Sequence, residues 1–131
     1  MKSELIDKMI KHLSIVAGVI YIYQGLVTKM WFKPFDTMQM IYSLGVGETY
    51  ANAVCFALGL CQCVFGVGLI QGSKEKFMHY LNIAFVAISC LVVLTVFPSR
   101  LIDTFNPIVM YIALFGLSTI ALQLIPAREQ P

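Results

Sequence analysis

The sequence predicts an all-α membrane protein: a transmembrane four-helix bundle with a short interfacial helix between spans 1 and 2. Three observations predict it. Charged residues make up 12% of the chain, about half of what soluble domains carry, while 59% is hydrophobic and mean hydropathy is +0.81. Residues 51–70 hold no charged side chain, a run long enough to cross a bilayer as a helix. Apolar runs recur at about 10–30, 51–70, 79–97 and 106–125, separated by polar or proline-bearing turns. The 131 residues are therefore expected to form one membrane domain, 1–131. A net charge of +2, with no basic run interleaved with aromatics, excludes a nucleic-acid binder.

Span one, about 10–30, holds an apolar run preceded by Lys2, Lys8 and Lys11, which mimic the charged start of a secretory signal. The run from Leu13 to Val27 leads into Thr28-Lys29-Met30-Trp31 with no small-x-small cleavage site. A retained first span is expected. Within it Ala17, Tyr21, Gln24 and Thr28 share one helical stripe. Gly18 and Gly25 lie beside that stripe, where another helix can approach closely. Trp31 and Phe32 follow where an interfacial aromatic belt belongs, with Lys29 and Lys33 able to reach headgroups.

The connection from Pro34 to Gly47 is itself patterned. Phe35, Met38, Ile41 or Tyr42, and Leu44 repeat at three or four, which predicts a short amphipathic helix lying in the interface. Pro34 suits its start, and Gly45-Val46-Gly47 breaks it. That G-x-G lacks the third glycine and the preceding strand of a dinucleotide fingerprint.

Span two carries the most organised pattern in the chain. Glu48, Asn52, Cys55, Gly59, Gln62 and Gly66 alternate at four and three, so a helix sets all six along one stripe. Amides cannot be left cheaply in hydrocarbon, so this stripe needs covering by other helices. The four cysteines, Cys55, Cys61, Cys63 and Cys90, form no C-x-x-C. Cys61 and Cys63 diverge by roughly 200° on a helix, and small residues in a packed interior account for all four.

Gln71 to Met78 reads as a tight polar turn. Span three runs from about His79 until Pro98 stops it, with Asn82, Val86, Ser89 and Val93 on one face. Asn106-Pro107 is a helix-start pair, cap and first-turn proline. Span four is expected to close at Pro126, with Ala113, Gly116, Thr119 and Gln123 on its inner face. Lys2, Lys8, Lys11, Lys74, Lys76 and Arg128 fall on one side of such a topology, against Lys29, Lys33 and Arg100 on the other. That bias puts both termini in the cytoplasm, and a bacterial inner membrane is the expected location.

Three motifs, in this order, resemble the DoxX-like family. They are Tyr23-Gln24-Gly25-Leu26-x-x-Lys29, Gly59-x-x-Gln62-x-x-x-Gly66 and Phe105-Asn106-Pro107, and the similarity covers about residues 15–125. The resemblance implies a four-helix membrane bundle. It also implies a link to quinones, because the family takes its name from subunits of a thiosulfate:quinone oxidoreductase. Relatives commonly carry Glu where this chain has Gln62. An amide can hydrogen-bond but cannot relay a proton, so a proton-coupled role passes to this chain only if Glu48 takes it over.

Each polar candidate has two readings. Glu48 is a proton acceptor or ligand anchor at the bundle mouth, or simply a first-turn carboxylate favoured by the helix dipole. Lys29 and Lys33 meet an anionic ligand, or snorkel to headgroups. Gln24, Asn52, Gln62, Asn82 and Gln123 line a cavity for a quinone-like headgroup, or hold helices together through hydrogen bonds averaging ~0.6 kcal/mol. His12 and His79 have no third ligand at metal spacing. The site expected from these stripes joins Tyr21, Gln24 and Lys29 of span one to Glu48, Asn52 and Gln62 of span two, open toward the non-cytoplasmic side.

Two functions follow. One is a quinone-associated accessory subunit of a membrane oxidoreductase. With no C-x-x-C-H, iron–sulfur spacing or flavin motif in the chain, electrons would come by way of a partner subunit or a dissolved quinone. The other is a non-catalytic membrane scaffold, or a binder of lipid or a small apolar ligand. Membrane lipid, an oxidoreductase partner and a second copy of the chain are the candidate partners. No carboxylate lies within residues 14–29, as a small multidrug exporter would need, and no C-x-x-C pair serves a vitamin-K-epoxide-reductase chemistry.

Overall fold

The computed structural model describes residues 1–102 and 106–130, and among these every regular element is helical. In order they are α1 (Lys2–Gly25), a π-helical turn (Leu26–Trp31), α2 (Phe35–Ser43), α3 (Glu48–Gln71), α4 (Lys76–Val96), a 3₁₀ turn (Pro98–Ile102) and α5 (Pro107–Arg128). Phe105, the first residue of the third resemblance motif, lies outside the described residues.

Among the described residues three helices are long and apolar enough to cross a bilayer: α3, α4 and α5, of 24, 21 and 22 residues. At 1.5 Å per residue each reaches about 30 Å or more, the depth of the hydrocarbon core. The all-helical class is thus observed, and three helices of membrane-crossing length and apolarity fall where spans two, three and four are expected. Helix α1 also has 24 residues, but it starts at Lys2 rather than near residue 10. Its first half carries Lys2, Glu4, Asp7, Lys8 and Lys11, which dilute its apolar stretch.

Local chemistry explains the ends. Asn106 caps α5: its Oδ1 accepts from the Ile108 amide at 2.8 Å, and its Nδ2 donates to the Leu101 carbonyl at 2.6 Å. Pro107 follows in the first turn, where a missing N–H forfeits nothing. Helix α4 ends before Pro98, as expected. At Pro126 the structure corrects the expectation, since α5 continues through it to Arg128. So near the C-terminus only the single bond back to the Leu122 carbonyl is forfeited, and the Glu129 amide reaches the Pro126 carbonyl at 3.2 Å. Gly45 ends the connection after α2 at φ +86°, a conformation that glycine adopts freely.

The chain groups into two compact units, Met1–Ala17 with Gly68–Pro131, and Gly18–Val67. In the first, Ile6 and Ile10 of α1 pack on Ile125 of α5, with Leu124 and Ala127 beside them. Met78 closes over the α3–α4 turn: a Cβ on Gly72 would lie 2.9 Å from Met78 Cγ. The buried residues of α4 are His79, Asn82, Val86 and Val93, close to the face expected for that span.

On α5 the expected inner face is corrected. Leu114, Ser118, Ala121 and Ile125 are buried, while Ala113 and Gln123 are exposed and Gly116 and Thr119 half-buried. A small residue marks a seam only where something packs on it, and nothing lies within 4 Å of a Cβ built on Gly116. Thr119 needs no neighbour, because its hydroxyl donates to its own helix at the Phe115 carbonyl, 2.8 Å away.

In the second unit, Ile41 of α2 is buried against Ala51 and Cys55 of α3, with Met38, Val46 and Val54 alongside. The second half of α1 runs antiparallel to α3, since Gly18 meets Gly66 and Gly25 meets Gly59. Both expected small-residue stripes therefore face each other.

Candidate functional site

All six residues expected to form a site belong to the second unit. Tyr21 is buried, and its ring meets Phe65 edge-on with centroids 4.9 Å apart and planes at 85°. Gln24 is half-buried, and its backbone carbonyl accepts from the Thr28 hydroxyl, which lies 3.4 Å from Gln24 Oε1. That local bond suits the transition from α-helix to the wider π turn just after it.

Lys29 sits inside the π turn. Its carbonyl accepts from Cys55 Sγ at 3.5 Å, and its Cβ would come within 2.9 Å of a Cβ on Gly59. About two turns further along α3, Cys63 Sγ donates to the Ile22 carbonyl at 3.6 Å. These two thiols act as small polar spacers in that contact, as expected of them, whereas Cys61 is exposed rather than packed in an interior.

Gln62 lies along α3 between Gly59 and Gly66, the two residues on which α1 packs. Its Oε1 is shielded from solvent and has no hydrogen-bond partner among the described residues. Tyr21, Lys29 and Gln62 thus lie along one seam.

Glu48 and Asn52 are exposed. The buried line of α3 passes through Ala51, Cys55, Gly59, Gly66 and Leu69 instead. Asn52 is one position round from Ala51, and a helix turns it about 100° away. Glu48 opens the helix, beyond the last residues that cover that line. The seam itself is closed: a Cβ on Gly66 would stand 2.6 Å from the Gly18 carbonyl oxygen.

A polar cluster that residue spacing alone does not bring together lies in the first unit. His79, Asn82 and Ser118 are each at most 1% exposed. His79 Nε2 is 2.8 Å from the Ser73 carbonyl, which can only accept, so Nε2 carries the hydrogen. In the neutral ring Nδ1 is then an acceptor, facing the Ser118 hydroxyl at 3.4 Å. Asn82 Nδ2 donates to Ser118 Oγ and to the Leu114 carbonyl at 3.1 Å. The bonds run in one direction, from α4 to α5 and back to the α3–α4 turn. The signal was His79 three residues before Asn82, on the face already marked as polar.

At the end of the same unit an open cleft of about 590 Å³ is lined by Glu4, Asp7, Lys8, Lys11 and residues 70–75. Asp7 Oδ2 accepts from Lys74 Nζ at 2.9 Å, and its Oδ1 lies 3.6 Å from Arg128 Nη1. Hydrogen bonding and charge from Lys74, assisted by Arg128, hold the Asp7 carboxyl below its ordinary value. Among the described residues no three His, Cys, Asp or Glu side chains gather where they could hold a metal.

The sequence model of the DoxX-like family matches residues 18–119. The match takes in the six residues expected to form a site and the buried cluster of α4 and α5. No curated protein and no solved structure matches the chain.

Proposed function

The chain belongs to the DoxX-like family, and from that premise we propose that it is an integral membrane subunit holding a quinone-class headgroup at Gln62. The observation that carries the reading is the shielded Gln62 Oε1 with no hydrogen-bond partner among the described residues. A polar atom left so in an apolar span is unfavourable by about 1–3 kcal/mol, and a ligand that bonds it recovers that energy. An amide suits both forms of such a ligand. Its oxygen accepts from a quinol hydroxyl and its N–H donates to a quinone carbonyl, with no proton taken up by the protein.

In this reading Gln62 binds and orients the headgroup, while Tyr21 and Phe65 supply an aromatic wall. Lys29 and Gln24 lie along the same seam, and Glu48 and Asn52 form the rim toward the non-cytoplasmic surface. The second half of α1 and the π turn complete a fourth span, with both termini cytoplasmic in a bacterial inner membrane. Electrons reach the quinone through a partner oxidoreductase subunit. The test is mass spectrometry of a solvent extract of the protein purified in mild detergent: a quinone at near-stoichiometric amount supports the reading, and a quinone-free extract contradicts it.

The glycine seam favours a second reading, a packed scaffold without a ligand. Gly18, Gly25, Gly59 and Gly66 bring two backbones into contact, as small residues do where helix association rather than a cavity is the purpose.

A further inference from the structure

The segment from Trp31 to Phe35 presents three large aromatic side chains to the outside: Trp31 is 70%, Phe32 69% and Phe35 79% exposed. The π turn creates this display. On an unbroken α-helix Phe32 would continue the stripe of Tyr21, Gly25 and Thr28 and face α3. The Phe32 amide instead reaches back five residues to the Val27 carbonyl at 2.8 Å, and the wider turn rotates the ring away from that stripe. Backbone regularity then stops: Phe32 sits at φ −105°, ψ 107° and Pro34 at φ −58°, ψ 144°.

Water alone and hydrocarbon alone are both poor surroundings for this segment. Three neighbouring aromatics in water leave a large apolar surface uncovered. In hydrocarbon the irregular backbone and the start of α2 fail, because Pro34 has no side-chain acceptor and makes no cap bond to the first amides of that helix. Lys33, exposed between Phe32 and Phe35, needs an aqueous or anionic neighbour.

From these observations we infer that Trp31, Phe32, Lys33 and Phe35 form an anchor seated at the boundary between phospholipid headgroups and acyl chains. The rings enter the upper acyl layer, the irregular backbone between Phe32 and Pro34 meets interfacial water, and the Lys33 ammonium pairs with headgroup phosphate. This inference stands apart from the quinone reading, since it uses none of the seam residues.

Trp31 is the one tryptophan in the chain, so its fluorescence reports this segment alone. The experiment reconstitutes the full chain in phosphatidylcholine vesicles whose lipids carry bromine at shallow or deep acyl positions. Shallow bromines are expected to quench Trp31 several-fold more than deep ones, with only partial quenching by aqueous acrylamide. The double variant Phe32→Ser, Phe35→Ser should raise acrylamide quenching while helix content by circular dichroism stays unchanged. Stronger quenching by deep bromines would put the segment in hydrocarbon and overturn the inference. Full acrylamide access without lipid quenching would put it in water, and protection from both quenchers would mean another protein covers it. Either result overturns it as well.

Discussion

Gly25 and Gly59 face each other across the contact between α1 and α3, each pointing its missing side chain at the other's backbone. A Cβ on Gly59 would stand 2.7 Å from the Gly25 carbonyl oxygen, and one on Gly25 would strike the Gly59 carbonyl. Backbone atoms cannot give way as a flexible side chain can. Leu60, the next residue along, is 49% exposed.

Gly59→Leu is therefore expected to destabilise the protein by about 1–3 kcal/mol or more, through forced separation of the helices. Leu60→Ala should cost well under 1 kcal/mol, because its outer face meets lipid as readily as protein. Thermal melting in detergent measures both. Equal shifts would remove the argument for a tight seam.

Ser118 sits between Asn82 and His79, accepting from one and facing the other. Ser118→Ala should lower stability by about 0.6–1.7 kcal/mol, the range for hydrogen bonds between membrane helices. Thr119→Ala should change little, since its hydroxyl bonds only to its own helix at the Phe115 carbonyl. Unfolding in mixed detergent and SDS compares the two. A Thr119→Ala loss as large as that of Ser118→Ala would contradict the assignment of the buried face.

These two residues also show what could be read in advance. The apolar runs that form α3, α4 and α5 and the buried face of α4 were legible, because long uncharged runs and a 3–4 repeat leave few alternatives. The glycine seam was legible because Gly18, Gly25, Gly59 and Gly66 recur at helical spacing on both partners. The inner face of α5 was not, since a helix apolar all round gives its rotation away only through packing. Of the site, Tyr21, Lys29 and Gln62 fall on the seam. Glu48 and Asn52 do not, because a pattern of spacings cannot show where the covering helix ends. The π turn left no sequence signal that we can identify.

Asp7 gives a pH dependence. Its carboxyl is held below the ordinary value of 3.8, first by the Lys74 hydrogen bond. A group whose folded value is depressed adds stability above its unfolded value and loses it as pH falls through the folded one. The stabilisation from this group should thus be fully present and independent of pH near neutrality, and be lost progressively below about pH 4. Asp7→Asn should flatten that acid decline in detergent melting curves. An identical decline in the variant would assign it to other carboxylates.

The proposed topology makes a separate prediction. In a cysteine-free background, Glu75→Cys should react with a membrane-impermeant maleimide only after cells are opened, whereas Asp36→Cys should react in intact cells. The reverse pattern would invert the orientation, and labelling of both in intact cells would rule out an odd number of crossings between them.

The most direct measurement is the quinone content of the purified wild type beside that of Gln62→Leu and Leu60→Ala, each checked for unchanged helix content. We predict near-stoichiometric quinone in the wild type and in Leu60→Ala, at least about a tenfold loss in Gln62→Leu, and little variation around neutral pH because an amide does not titrate. Quinone retained in full by Gln62→Leu would contradict the account.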